Sequence, residues 1–147
     1  MTINGAKQVR IGRLLIAGLV VGLAMNIGEA VLHGRILAEA TRAAYAALKL
    51  TAAEDPMNLV WLIALTFVQG MLMAWLYSVT RARFGSRFQT AACVGLVTWV
   101  LSSAYAAVYL HSGFPGILPR NLVWLPVAWQ LFEYPLATLA GAATYGQ

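Results

Sequence analysis

The sequence predicts an all-α integral membrane protein: one transmembrane domain over residues 1–147, built as a four-helix bundle, with an amphipathic outer-side helix between spans one and two. Three observations predict it. The 147 residues are 61% hydrophobic and 10% charged, against about 45–50% and about 25% in a soluble domain. The uncharged stretches are long enough to cross a bilayer, which takes roughly 20 apolar residues each. The ten Lys and Arg residues sit in short clusters between those stretches, as membrane orientation signals do. This composition also excludes a disordered chain. A nucleic-acid face is excluded too, because it needs interleaved charge on a soluble scaffold.

The spans fall at about 11–34, 57–80, 88–110 and 121–145. The first carries Glu29 in its outer half. Gly28-Glu29-Ala30 has the small-x-small form of a cleavage site, but a Glu beside the cut argues for keeping this segment as a span. About ten Leu, Ile and Val residues between 14 and 32 return roughly 0.3–0.6 kcal/mol each on insertion, and the single carboxylate costs roughly 2.5–3.5 kcal/mol, so insertion wins. Asp55-Pro56 reads as an N-cap followed by proline at the first helical position of span two. The third span ends before His111-Ser-Gly-Phe-Pro-Gly116, a helix-stopping run. Pro135 inside the fourth removes one helical donor and predicts a kink beside Glu133.

The connecting segment at about 35–50 is amphipathic. Arg35, Glu39, Arg42, Ala46 and Lys49 share one helical stripe, and Leu37, Ala40, Ala44 and Leu48 lie opposite. It is expected on the outer leaflet.

Lys and Arg set the orientation. Lys7, Arg10 and Arg13 lie at the N-terminal end, and Arg81, Arg83 and Arg87 lie between spans two and three, with no acidic residue in either segment. Both termini and the 81–87 turn are therefore expected in the cytoplasm, with the arginines of the turn contacting lipid headgroups. Trp61, Tyr109 and Trp124 then form the outer aromatic belt, and Trp75, Tyr77 and Tyr145 the inner one. The single cysteine, Cys93, excludes an intrachain disulfide and a multi-cysteine metal cage.

Polar residues inside the spans are the functional candidates. Asn26, Glu29 and His33 share one face of span one, and Gly18 and Gly22 continue it as a helix-packing surface. Gln69 lies near the middle of span two. Thr98, Ser102, Tyr105 and Tyr109 share one face of span three, and Gln130, Glu133, Ala137, Gly141 and Thr144 share one face of span four. A ligand site built on Asn26, Glu29, Gln69, Tyr105, Gln130 and Glu133 is expected inside the bundle. Polar side chains in a bundle also serve simply as interhelical hydrogen-bond partners. Two intramembrane carboxyls are harder to explain that way and point to function.

Two classes of function follow. A carrier would bind or move a small solute or cation with proton coupling through Glu29 or Glu133, and aromatic rings could face an organic cation. Small multidrug-resistance transporters have a similar plan, though their sequence motifs are absent. A non-catalytic accessory or assembly subunit of a larger membrane complex, or a homo-oligomer, would use the Gly18/Gly22 face and the aromatic surface for binding. No nucleophile motif, phosphate loop or metalloprotease pair is present, so an enzyme is not favoured. No cofactor and no metal site are predicted. His33 and His111, at the outer ends of spans one and three, are the residues that could ligate a haem.

The run Trp75-Leu-Tyr77, Arg81-Ala-Arg83-Phe-Gly85, Thr90-Ala91, with Asn26-Ile-Gly28-Glu29, resembles a group of small uncharacterised bacterial inner-membrane proteins of four spans. The resemblance implies a bacterial inner-membrane location. It carries over no activity, ligand or site residue.

Overall fold

A computed structural model describes residues 11–49 and 56–145. All regular structure among them is helical. Helix α1, Ile11–Val31, runs into a π-helical turn over Leu32–Ile36. Helix α2 follows at Ala38–Ala47, α3 at Pro56–Thr80, and α4 at Arg87–Trp99. A second π turn, Val100–Ala104, joins α4 to α5, Tyr105–Gly113. Helix α6 covers Arg120–Tyr145. Lys7, Arg10 and the Asp55 cap lie outside the described residues, and Pro56 does open α3.

Among the described residues, three helices are long and apolar enough to cross a membrane: Ile11–Ile36, Pro56–Thr80 and Arg87–Gly113. Helix α6 is as long, with 26 residues, but Gln130, Glu133, Pro126 and Pro135 make it less apolar.

Local chemistry sets the helix ends. Lys49 ends α2 in the left-handed region at φ 54°, with its N–H donated to the Ala46 carbonyl at 3.1 Å. After α3, Arg81 Nη1 donates to the Phe84 carbonyl at 2.9 Å and folds the turn back on itself. Ser86 caps α4 by accepting from the Gln89 N–H at 3.1 Å. Gly116, at φ 82°, makes the reversal before α6 that a side chain would resist.

The helices pack antiparallel in the order α3, α1, α6, α4, so that α1 and α6 form the central pair. Small residues set the close approaches. A Cβ on Gly70 would meet the backbone of Gly18 and Gly22, so α1 and α3 touch main chain to main chain. Gly141 of α6 lies on Ala17 and Val21 of α1, and Gly95 of α4 lies on Pro135 of α6. The packing surface expected at Gly18 and Gly22 thus faces α3. The core contains Val21, Met25, Met73, Val94, Tyr134 and Ala137. Tyr77 also belongs to this core, 4% exposed and edge-on to Tyr145, rather than standing out as a belt residue.

One expected face is wrong beyond residue 98. Thr90, Ala91, Val94 and Gly95 point inward at helical spacing, half-buried Trp99 packs against the core, and the next buried residues are Ser103 and Ala107. The π turn over Val100–Ala104 is wider than an α turn and inserts an extra residue into the spacing. Tyr105 is consequently turned outward, 70% exposed, and Tyr109 is exposed too, edge-on to Phe114. The π turn after α1 acts alike, with buried Leu32 followed by buried Leu37 five positions on.

Helix α2 lies within the connecting segment predicted at 35–50. Arg35, Glu39, Arg42, Ala46 and Lys49 are exposed; of the face expected opposite them, Leu37 and Ala44 are buried, Ala40 is half-buried and Leu48 is exposed. On α3, every residue from 56 to 65 is exposed, because this half extends beyond the close contact at Gly70.

Candidate polar site between the central helices

Helix α1 brings Glu29 to the seam with α6, one residue past a glycine. Glu29 Oε1 accepts a short hydrogen bond from Gln130 Nε2 of α6. Glu29 Oε2 lies 3.1 Å from His33 Nε2, one turn on along the same helix. Both carboxylate oxygens are therefore partnered, one across the bundle and one toward its end.

Glu133 is at the midpoint of α6. Its carboxyl group rests against the backbone of Gly28, where any Cβ would collide with Oε1. Both of its oxygens are buried and neither has a hydrogen-bond partner. The indole N–H of Trp129, one turn earlier, is buried and is the nearest donor to this carboxyl, but it does not reach hydrogen-bond geometry with either oxygen. Glu29 and Glu133 are close enough to interact electrostatically. Chemically, the seam holds one carboxylate locked by an amide and an imidazole, beside a second with free acceptor capacity in a dry setting. A buried carboxylate is tolerable when a proton, a cation or donors satisfy it.

The six expected ligand residues are not all together. Glu29, Gln130 and Glu133 form the cluster. Asn26 lies on the same helix, and its Nδ2 donates to the Gly22 carbonyl at 2.8 Å. Gln69 lines a different feature, a lateral groove of roughly 310 Å³ between α3 and α4 that also includes Met73, Thr98 and Ser102. The hydroxyls of Thr98 and Ser102 donate to carbonyls of their own helix, at 2.9 and 2.7 Å. Gln69 Nε2 is buried without a partner. Tyr105 belongs to neither place, for the reason of register given above.

The two histidines occupy different surroundings. His33 is engaged with Glu29. His111 stands edge-on to Trp124, with ring centroids 5.7 Å apart, and lines a pocket of roughly 270 Å³ at the end of α5. Among the described residues no group of three His, Cys, Asp or Glu side chains is placed to hold a metal ion. Arg81 and Arg83 lie in the short turn between α3 and α4, and Arg87 opens α4.

Two participants escaped the sequence reading. Trp129 precedes Gln130 and lies one turn from Glu133, a spacing that could have marked it. Gly28 bore no sign of its role, since the neighbour that needs its missing side chain is 105 positions away in the sequence.

Comparison with protein-family models, with curated proteins and with solved structures finds no match to this chain.

Proposed function

We propose that this is a four-span protein of the bacterial inner membrane. Its carboxylate site between α1 and α6 binds or moves a small solute or cation with proton coupling. The single observation that carries this is Glu133: two buried carboxylate oxygens without a bonding partner, beside a second, fully partnered carboxylate. If Glu133 served only as a structural link between helices, its oxygens would be expected to accept hydrogen bonds, as those of Glu29 do.

The fourth span in this proposal is α6. It lies antiparallel to α1 and α4, and its 26 residues match the Ile11–Ile36 and Arg87–Gly113 spans in length, at about 1.5 Å per residue. Its polar residues cluster at the seam rather than on the face toward lipid, where Phe132 and Leu136 are exposed. The cytoplasmic placement of both termini follows from Arg81, Arg83 and Arg87, with Lys7, Arg10 and Arg13. Helix α2 then rests on the outer leaflet with Arg35, Glu39 and Arg42 toward water.

The accessory-subunit reading is favoured by one observation, the first half of α3, where residues 56–65 are exposed around the whole helix. A second copy or a larger membrane complex would cover it.

The test is reconstitution of the chain into vesicles containing a pH-sensitive dye, followed by an imposed proton gradient. Proton movement that Glu133→Gln abolishes supports the carrier. Absence of any gradient-driven movement, together with co-purification of another membrane protein at fixed stoichiometry, overturns it for the accessory role.

A further inference from the structure

The carboxylate site has a wet end and a dry end. His33 lies on the π turn that closes α1, with its side chain 51% exposed, and Glu29 beside it is 25% exposed. Glu133, deeper along the seam, has both oxygens buried. Three groups able to carry a proton thus stand in a row from the end of the bundle to its middle. We propose that His33, Glu29 and Glu133 form a proton relay, in which His33 is the entry group that loads the buried Glu133 carboxylate from the aqueous phase. This rests on the proton-coupled reading above and adds the route and the role of His33.

The proton count closes with these groups and water. Hydronium protonates the free Nδ1 of His33. The imidazolium passes the proton on its Nε2 to Glu29 Oε2, across the 3.1 Å contact. His33 is left neutral and Glu29 becomes a carboxylic acid. Glu29 then donates to a Glu133 oxygen, through a side-chain rotation or one intervening water, and returns to the carboxylate. Only N–H and O–H bonds form and break. Imidazole suits the first position because it can take up a proton on one ring nitrogen and release one from the other. Gln130 is a positioning residue: its amide donates to Glu29 Oε1 and leaves Oε2 directed at His33.

The charged groups around the relay are few. Arg35, Glu39 and Arg42 follow His33 on the π turn and α2, and all three are exposed. Helix α3 contains no charged residue, α4 carries Arg87 at the opposite end, and α6 brings Glu133 itself and Arg120 at its first position. Glu29 and Glu133 are therefore the acids that face the route from α1 and α6.

The experiment is infrared difference spectroscopy on the reconstituted chain, following the carboxylic-acid carbonyl stretch after a pH jump and after transfer to heavy water. The band that Glu133→Gln removes is assigned to Glu133. His33→Ala is expected to slow loading of that band by roughly tenfold or more while its final amplitude stays. Added imidazole should restore the rate, which a purely structural role for His33 would not allow. His33→Gln, which keeps a hydrogen-bond donor beside Glu29 but relays no proton, should be equally slow and covers the case in which the alanine variant fails to fold. Unchanged loading in a folded His33 variant overturns the relay and leaves the proton-coupled reading standing. If Glu133→Gln removes no band, both fall.

Discussion

Glu133 occupies the space that a side chain on Gly28 would need. The two residues lie on different helices, and the carboxyl of one rests directly on the backbone of the other. A methyl group at position 28 has to push Glu133 out of its seat. Gly28→Ala should therefore destabilise the protein by about 1–3 kcal/mol, the usual range for overpacking. Glu133→Ala in the same background should recover part of that loss. A double-mutant cycle from unfolding in detergent measures the coupling; additive effects would show that the two residues do not compete for space.

The seam between α1 and α3 gives a contrast between two glycines. Gly70 faces the backbone of Gly18 and Gly22, which has little room to yield, whereas Gly12 has open space around it. Gly70→Ala should destabilise by about 1–3 kcal/mol. Gly12→Ala should be neutral or gain up to about 1 kcal/mol from helix propensity. Thermal unfolding of both variants in one detergent decides this, and equal effects would contradict the close approach.

The Gln130–Glu29 bond joins the central helices. Gln130→Leu leaves a carboxylate oxygen without its donor and should cost about 1–3 kcal/mol. Glu29→Gln keeps a side chain able to pair with Gln130 and should cost less. The order of the two melting temperatures is the readout.

Trp99 ties α4 to α6 by donating its indole N–H to the Val127 carbonyl at 2.8 Å. Trp99→Phe keeps most of the ring and removes the donor. A loss of about 0.5–1.5 kcal/mol is expected, and unchanged stability would show that the bond contributes nothing to the fold.

The shifted face of α5 has its own test. Tyr105 is turned outward, so Tyr105→Ala should change bundle stability by no more than about 0.5 kcal/mol. Ser103 is buried with its hydroxyl 3.5 Å from that of Tyr134. Ser103→Leu should overpack that place and destabilise by about 1–3 kcal/mol. The reverse order would restore the uninterrupted helical face.

Much of this was legible from local pattern. Apolar runs located the long helices to within a few residues, because insertion and burial both depend on summed side-chain hydrophobicity. Gly18 and Gly22 marked a packing face, and Glu29, Gln130 and Glu133 were identifiable as polar groups inside long, mostly apolar runs. The inner face does not continue at uniform helical spacing where the helix itself changes pitch. The π turn at Val100–Ala104 moved Tyr105 off the inner face, and nothing in its composition announced the extra residue. Gln69 and Glu133 are both near mid-helix, yet depth alone could not tell that they belong to different seams.

Composition and periodicity by themselves determined that the chain is helical, that its long helices are fit for a bilayer, and which polar residues stand out within them. Those properties are summed along the chain and do not depend on which helix meets which. Only the tertiary structure decided that α1 and α6 are partners, that Glu29 is bound by Gln130 and His33, and that Glu133 is seated on Gly28 with no donor in hydrogen-bond geometry. These contacts depend on the relative rotation and approach of helices, fixed by main-chain contact at Gly70, Gly95 and Gly141 and by two π turns.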